Sequence, residues 1–123
     1  MRPLLGLPVF HIREEQMAAF EADTMRRYES RVIRKIARTY PVRYKLDGEE
    51  GTRRFVQDGI RKADGYGITE DDDVERFILV LADRGMDFEK ASDMAECWEA
   101  LEDKDLPGDA KVALVCRRLP PKD

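Results

Sequence analysis

His11 is the sole histidine of the chain, so paired-histidine metal sites and most histidine-based catalysis drop out at once. A lone imidazole in an N-terminal arm reads as a solvated side chain rather than a general base. The acidic run Glu70-Asp71-Asp72-Asp73, with Glu75 beyond it, is the next group that could hold a cation. Calcium loops place their ligands at alternate positions around a required Gly, whereas consecutive carboxylates on a helix point in different directions. The run is therefore expected to cap a helix and to form a solvated face. Asp47-Gly48-Glu49-Glu50-Gly51 lacks the ligand spacing as well. Gly65-Tyr66-Gly67 has neither the preceding strand nor the following Lys-Ser/Thr that a phosphate-binding loop requires. A Ser or Cys nucleophile needs a base beside it, but Ser30 falls in mid-helix, Ser92 has the look of a cap, and Cys97 and Cys116 both lie on apolar sides of predicted helices. The expectation is no catalytic residue, no metal site, no cofactor and no enzyme.

The elements that would position these residues follow from composition and periodicity. A chain of 123 residues has the size of one domain and can bury a core without metal or disulfide. It is 42% hydrophobic and 39% charged, against roughly 25% charged in an average domain. That combination predicts helices with heavily solvated outer faces. The two cysteines are expected as buried free thiols, which places the protein in the cytoplasm. The apolar stretch Met1 to Ile12 makes a poor secretory signal, and no run approaches the roughly 18 apolar residues of a membrane span.

Five helices are predicted, giving an all-α fold: a compact single domain with a long first helix and an extended N-terminal arm. Residues 1–12 form the arm, 13–119 the helical domain and 120–123 a disordered tail. Between Arg13 and Tyr40 there is neither Gly nor Pro, and Met17, Phe20, Thr24, Tyr28, Val32, Ile36 and Tyr40 recur at spacings of three or four. Pro41 is expected to stop this helix. Val42 to Gly51 then reads as a loop turning at Asp47-Gly48, with Val42 to Leu46 and Leu7 to Ile12 as weak strand candidates. A second helix should start at Glu49 or Thr52 and bury Phe55, Val56, Ile60 and Ala63. Gly59 on the same side suggests close approach by another helix, with the first as the expected neighbour. Thr69 is an N-cap candidate for a third helix whose first turn holds Glu70, Asp71 and Asp72, where carboxylates meet the positive end of the helix dipole. Gly85 would close it and Phe88 would plug the core. A fourth helix from Ala91 or Ser92 to Glu102 should bury Met94, Cys97, Trp98 and Leu101. A fifth from about Pro107 should bury Val112, Val115, Cys116 and Leu119.

Charge is divided along the chain. Residues 1–66 carry 14 Lys/Arg and 10 Asp/Glu, a net of +4, and residues 67–123 carry 8 and 16, a net of −8. Much of the positive part is one side of the first helix, where Arg27, Arg31, Arg34, Lys35 and Arg38 fall on neighbouring turns. Such a stripe fits an acidic protein, a nucleic acid or an acidic membrane, or it pairs internally with the acidic second half. Nucleic acid is the weakest fit, because the would-be recognition helix opens on Thr69-Glu70-Asp71-Asp72-Asp73 and points carboxylates at phosphate. The arm adds an apolar anchor: Leu5, Val9 and Phe10, among its neighbours, could pack on the domain or dock on a partner.

Ile12-Arg13-Glu14-Glu15-Gln16-Met17, Gly59-Ile60 with Ala63, Tyr66-Gly67-Ile68, Asp73-Val74 and Met86-Asp87-Phe88 occur in an order that resembles short helical bacterial proteins encoded in type VI secretion loci. Those loci carry spike proteins and their effectors. The resemblance covers roughly residues 12–102 and implies a shared fold and an accessory role in secretion, with no functional residue carried over. The expected partner is a protein: a secreted effector, a spike component or a toxin. An adaptor or chaperone-like role is the first reading, an immunity protein neutralising a cognate toxin the second, and a nucleic-acid-binding regulator the third. A long amphipathic first helix also suits a homodimer.

Overall fold

The computed structural model describes residues 14–119, with side chains from residue 22 onward. The arm, the tail and the candidates Leu5, Val9, Phe10 and His11 lie outside these residues. Within them the chain is all-α and contains five α-helices and no strand.

α1 spans Glu14–Thr39, as the uninterrupted apolar period requires. Its inward stripe is Tyr28, Val32, Ile33 and Ile36, all buried. Tyr40 leaves the helical region at φ −130° and ψ 66°, and Pro41 follows as the first residue of α2, Pro41–Gly65. The loop and strand readings of residues 42–51 are thus overturned. Proline does end α1, but its fixed φ and missing N–H also suit the first turn of a new helix. The Asp47-Gly48 signal survives as a kink, because Gly48 takes φ 73° inside the element, a value that L side chains rarely adopt. Beyond the kink α2 runs back along α1 and buries Val56, Ile60 and Ala63, with Phe55 partly buried.

Gly59 allows a close approach, although its neighbour is not α1. A Cβ there would stand 2.9 Å from Ile78 Cγ1 and 3.3 Å from Leu81 Cδ1. Both belong to α3, Asp71–Arg84. The cap of α3 is Glu70 rather than Thr69, in extended geometry and without a side-chain cap bond, while Asp71, Asp72 and Asp73 fill the first turn. α3 is the centre of the fold: Val74, Phe77, Ile78 and Leu81 are fully buried. It packs on α1, α2 and on α5, Gly108–Arg118.

Gly85, at φ 110°, ends α3, and Phe88 plugs the core as expected, with its ring edge-on to Phe77. Phe88 opens the first of two single 3₁₀ turns, Phe88–Lys90 and Ser92–Met94, and α4 spans only Ala95–Glu102. The shorter α4 settles which side chains face inward. Met94, Cys97, Ala100 and Leu101 are buried, but Trp98 is 45% exposed, against the expectation. On α5, Val112 and Val115 are buried, whereas Cys116 faces solvent, and Leu119 just past the helix end is partly buried. Both thiols are free. No described helix is long and apolar enough to cross a membrane.

Candidate protein-binding face

The basic stripe of α1 divides in two. Arg31 and Lys35 reach across to α3 and pair with Glu75 at 3.3 and 3.2 Å. Arg31 also lies over the Tyr28 ring, 5.0 Å from its centroid. These two cations realise the internal pairing with the acidic half of the chain. Arg27, Arg34 and Arg38 stay exposed. Arg27 pairs with Asp23 one turn earlier on the same helix, and Arg34 and Arg38 have no ion pair among the described residues. Arg26, which was not among the expected residues, joins them: Asp23, Arg26, Arg27, Ser30 and Arg34 line one shallow hollow. The signal was present in the sequence, because Arg26, Ser30 and Arg34 are spaced by four and share a face.

This face is held from behind by charge as well as by apolar packing. Arg53 of α2 donates to Glu29 Oε1 at 2.8 Å and to Ser30 Oγ at 3.1 Å, and Gln57 donates to both Glu29 oxygens. Glu49 gives Arg53 a second carboxylate at 3.5 Å. Sequence reading missed Arg53, since a charged residue on an amphipathic helix reads as solvated until a partner helix covers it. Beside this pair a groove of about 620 Å³ opens between α1 and α2, with Met25 and Ile60 as its apolar floor and Gln57, Arg61 and Asp64 on its rim.

Elsewhere, buried polar side chains bridge the helices. Glu89 is almost fully buried, and its Oε2 receives the Tyr66 hydroxyl at 2.8 Å and pairs with Lys62 at 2.7 Å. Burial first, and then the bond to Glu89, push the Tyr66 hydroxyl above its ordinary value. Lys111 is buried too, and its Nζ donates to the carbonyls of Tyr66 and Leu101, both at 2.8 Å. Together these bonds tie the end of α2 to the 3₁₀ turns, α4 and α5. Asp73 is buried at the start of α3, and its carboxyl is raised by desolvation and then by Asp109. Burial likewise raises the Cys97 thiol, which donates to Val115 O. Arg76 donates toward Cys116 Sγ at 3.9 Å. Among the described residues no group of three or more His, Cys, Asp or Glu is placed to hold a metal ion.

The site and fold define a small helical protein with an exposed guanidinium row on α1 and a neighbouring groove. Comparison of the chain with protein-family models, with curated proteins and with solved structures gave no match.

Proposed function

We propose that this chain is a non-enzymatic protein-interaction module, an adaptor or chaperone-like accessory protein of a bacterial type VI-like secretion locus that acts in the cytoplasm. It takes an acidic surface of a secreted effector or spike component on the Arg26, Arg27, Arg34 and Arg38 side of α1. The observation that carries the reading is this row of exposed guanidiniums, to which Asp23 alone is paired among the described residues. Arginine forks suit carboxylates in bidentate geometry, and a rigid helix lowers the cost of presenting them. The secretion setting rests on the resemblance of the residue order noted above.

The test is co-purification with products of neighbouring genes, followed by the double variant Arg34→Glu/Arg38→Glu. Arg31 and Lys35 are left alone, because they hold Glu75 and their reversal would disturb the fold. Affinity should fall by about tenfold or more, as loss of close interfacial charge pairs commonly does. Unchanged binding by a folded double variant would remove this face from the model. A salt-sensitive shift of DNA or RNA by the unmodified chain would favour the nucleic-acid reading instead.

A further inference from the structure

Three large apolar side chains stand open to solvent among the described residues: Val42 at 72%, Leu46 at 81% and Trp98 at 45%. They form two patches. Val42 and Leu46 are one turn apart on the opening segment of α2, before the Gly48 kink, so they share a face. Lys45, three residues after Val42, is exposed beside them, and exposed Arg38 closes the preceding helix. Asp47 pairs with Arg43 on the same segment, and the exposed Glu49 and Glu50 lie beyond the Gly48 kink, where Glu49 stands 3.5 Å from Arg53. Trp98 stands on the outer side of α4. Glu99 adjoins it in sequence and Glu102 lies one turn on, both exposed and neither in an ion pair among the described residues.

One patch is therefore aliphatic with cations beside it, and the other is aromatic with carboxylates beside it. Neither covers the other within the chain, because all three apolar side chains are open. An apolar centre with a charged rim is the anatomy of a protein interface, and tryptophan is among its strongest anchors. From this complementarity we propose that the α2 corner (Val42, Lys45, Leu46) docks on the Trp98–Glu102 face of α4 in a second copy of this chain. The aliphatic pair covers the indole, and Lys45 and Arg38 meet Glu99 and Glu102. The contact joins unlike patches, so it forms either a two-fold dimer in which it occurs twice or a head-to-tail chain. It is small and belongs to the weak, transient class of interfaces. It shares only Arg38 with the proposed effector-binding face, and the variants that test it, at Leu46, Lys45 and Glu102, leave Arg26, Arg27, Arg34 and Arg38 in place.

The test is sedimentation of the full chain from about 10 µM to about 1 mM, a range that spans weak association. Mass should rise with concentration at low salt and fall back toward monomer at about 0.5 M salt, where charge contacts are screened. Trp98 is the only tryptophan, so its fluorescence should shift to the blue in parallel as the indole leaves water. Leu46→Ser, Lys45→Glu and Glu102→Lys should each weaken association by about fivefold or more, while the double variant Lys45→Glu/Glu102→Lys should regain most of it. Circular dichroism checks that each variant is folded, which these exposed positions favour. A monomer throughout the range at low salt overturns the proposal. So does association that folded Leu46→Ser and Lys45→Glu variants leave unchanged, since it would then use another face.

Discussion

Arg53 on α2 and Glu29 on α1 meet at 2.8 Å with both side chains more than nine-tenths buried. Removing one partner of such a pair strands a charge in a low-dielectric interface. Glu29→Ala leaves the buried Arg53 with only the longer contact to the exposed Glu49 and should destabilise the protein by about 3 kcal/mol, read as the shift in urea denaturation midpoint. Replacing both, as Glu29→Leu/Arg53→Met, should cost far less than the single change, because no unpaired charge remains. A double variant as unstable as Glu29→Ala would show that the hydrogen bonds to Ser30 and Gln57, rather than charge, dominate.

Gly59 and Gly65 lie on the same helix and should respond in opposite directions to alanine. At Gly59 the new methyl would meet Ile78 and Leu81 of α3, and overpacking of this kind costs about 1–3 kcal/mol, more than the helix propensity returned. At Gly65 nothing lies within 4 Å of the added Cβ, so Gly65→Ala should be neutral or stabilising by up to about 1 kcal/mol. Thermal or urea denaturation of the two single variants checks the sign of each effect.

The two thiols should separate in a labelling experiment. Cys116 is exposed, while Cys97 is buried and its thiol is held above the ordinary value by desolvation, against a smaller opposing pull from Arg118. In the native protein one thiol should react with a maleimide or disulfide reagent, and the second should react at least about tenfold more slowly until denaturant is added. Cys116→Ser should abolish the fast phase. Two equally fast thiols in the folded protein would contradict the packing of α4 on α5.

Asp73 should make folding stability depend on acid pH. Its folded-state carboxyl is raised above 3.8, first by desolvation and then by Asp109, with Arg76 acting in the other direction. A raised acid favours folding when protonated. Its contribution is therefore full below the unfolded value and is lost as pH rises from there through the folded value. Asp73→Asn should flatten this part of the stability profile, measured by urea denaturation at several pH values between about 3 and 6. A profile unchanged by the substitution would place Asp73 in contact with solvent.

Much of the architecture was legible before any coordinates. The spacing of Tyr28, Val32 and Ile36 announced α1, the acidic turn before Val74 announced α3, and the position of Phe88 after Gly85 announced a plug. These are local signals, set by periodicity, capping and turn chemistry within a few residues. Pro41 shows their limit. The same ring that ends one helix suits the start of another, so the sequence could not distinguish a loop from a second helix at residues 42–47. The candidate face was half legible: the cations of α1 were visible as a row, but not which of them would be spent on Glu75.

By itself, then, the sequence determined the helical class, most helix ends and the division of charge, because each depends on neighbours along one chain segment. The tertiary structure decided what covers what. It set α3 rather than α1 against Gly59, buried Arg53 beneath a partner helix, turned Trp98 and Cys116 outward, and left Arg34 and Arg38 exposed. The physical reason is that periodicity defines a face on each helix, while the crossing of helices decides whether that face meets an apolar side chain, a counter-charge or water.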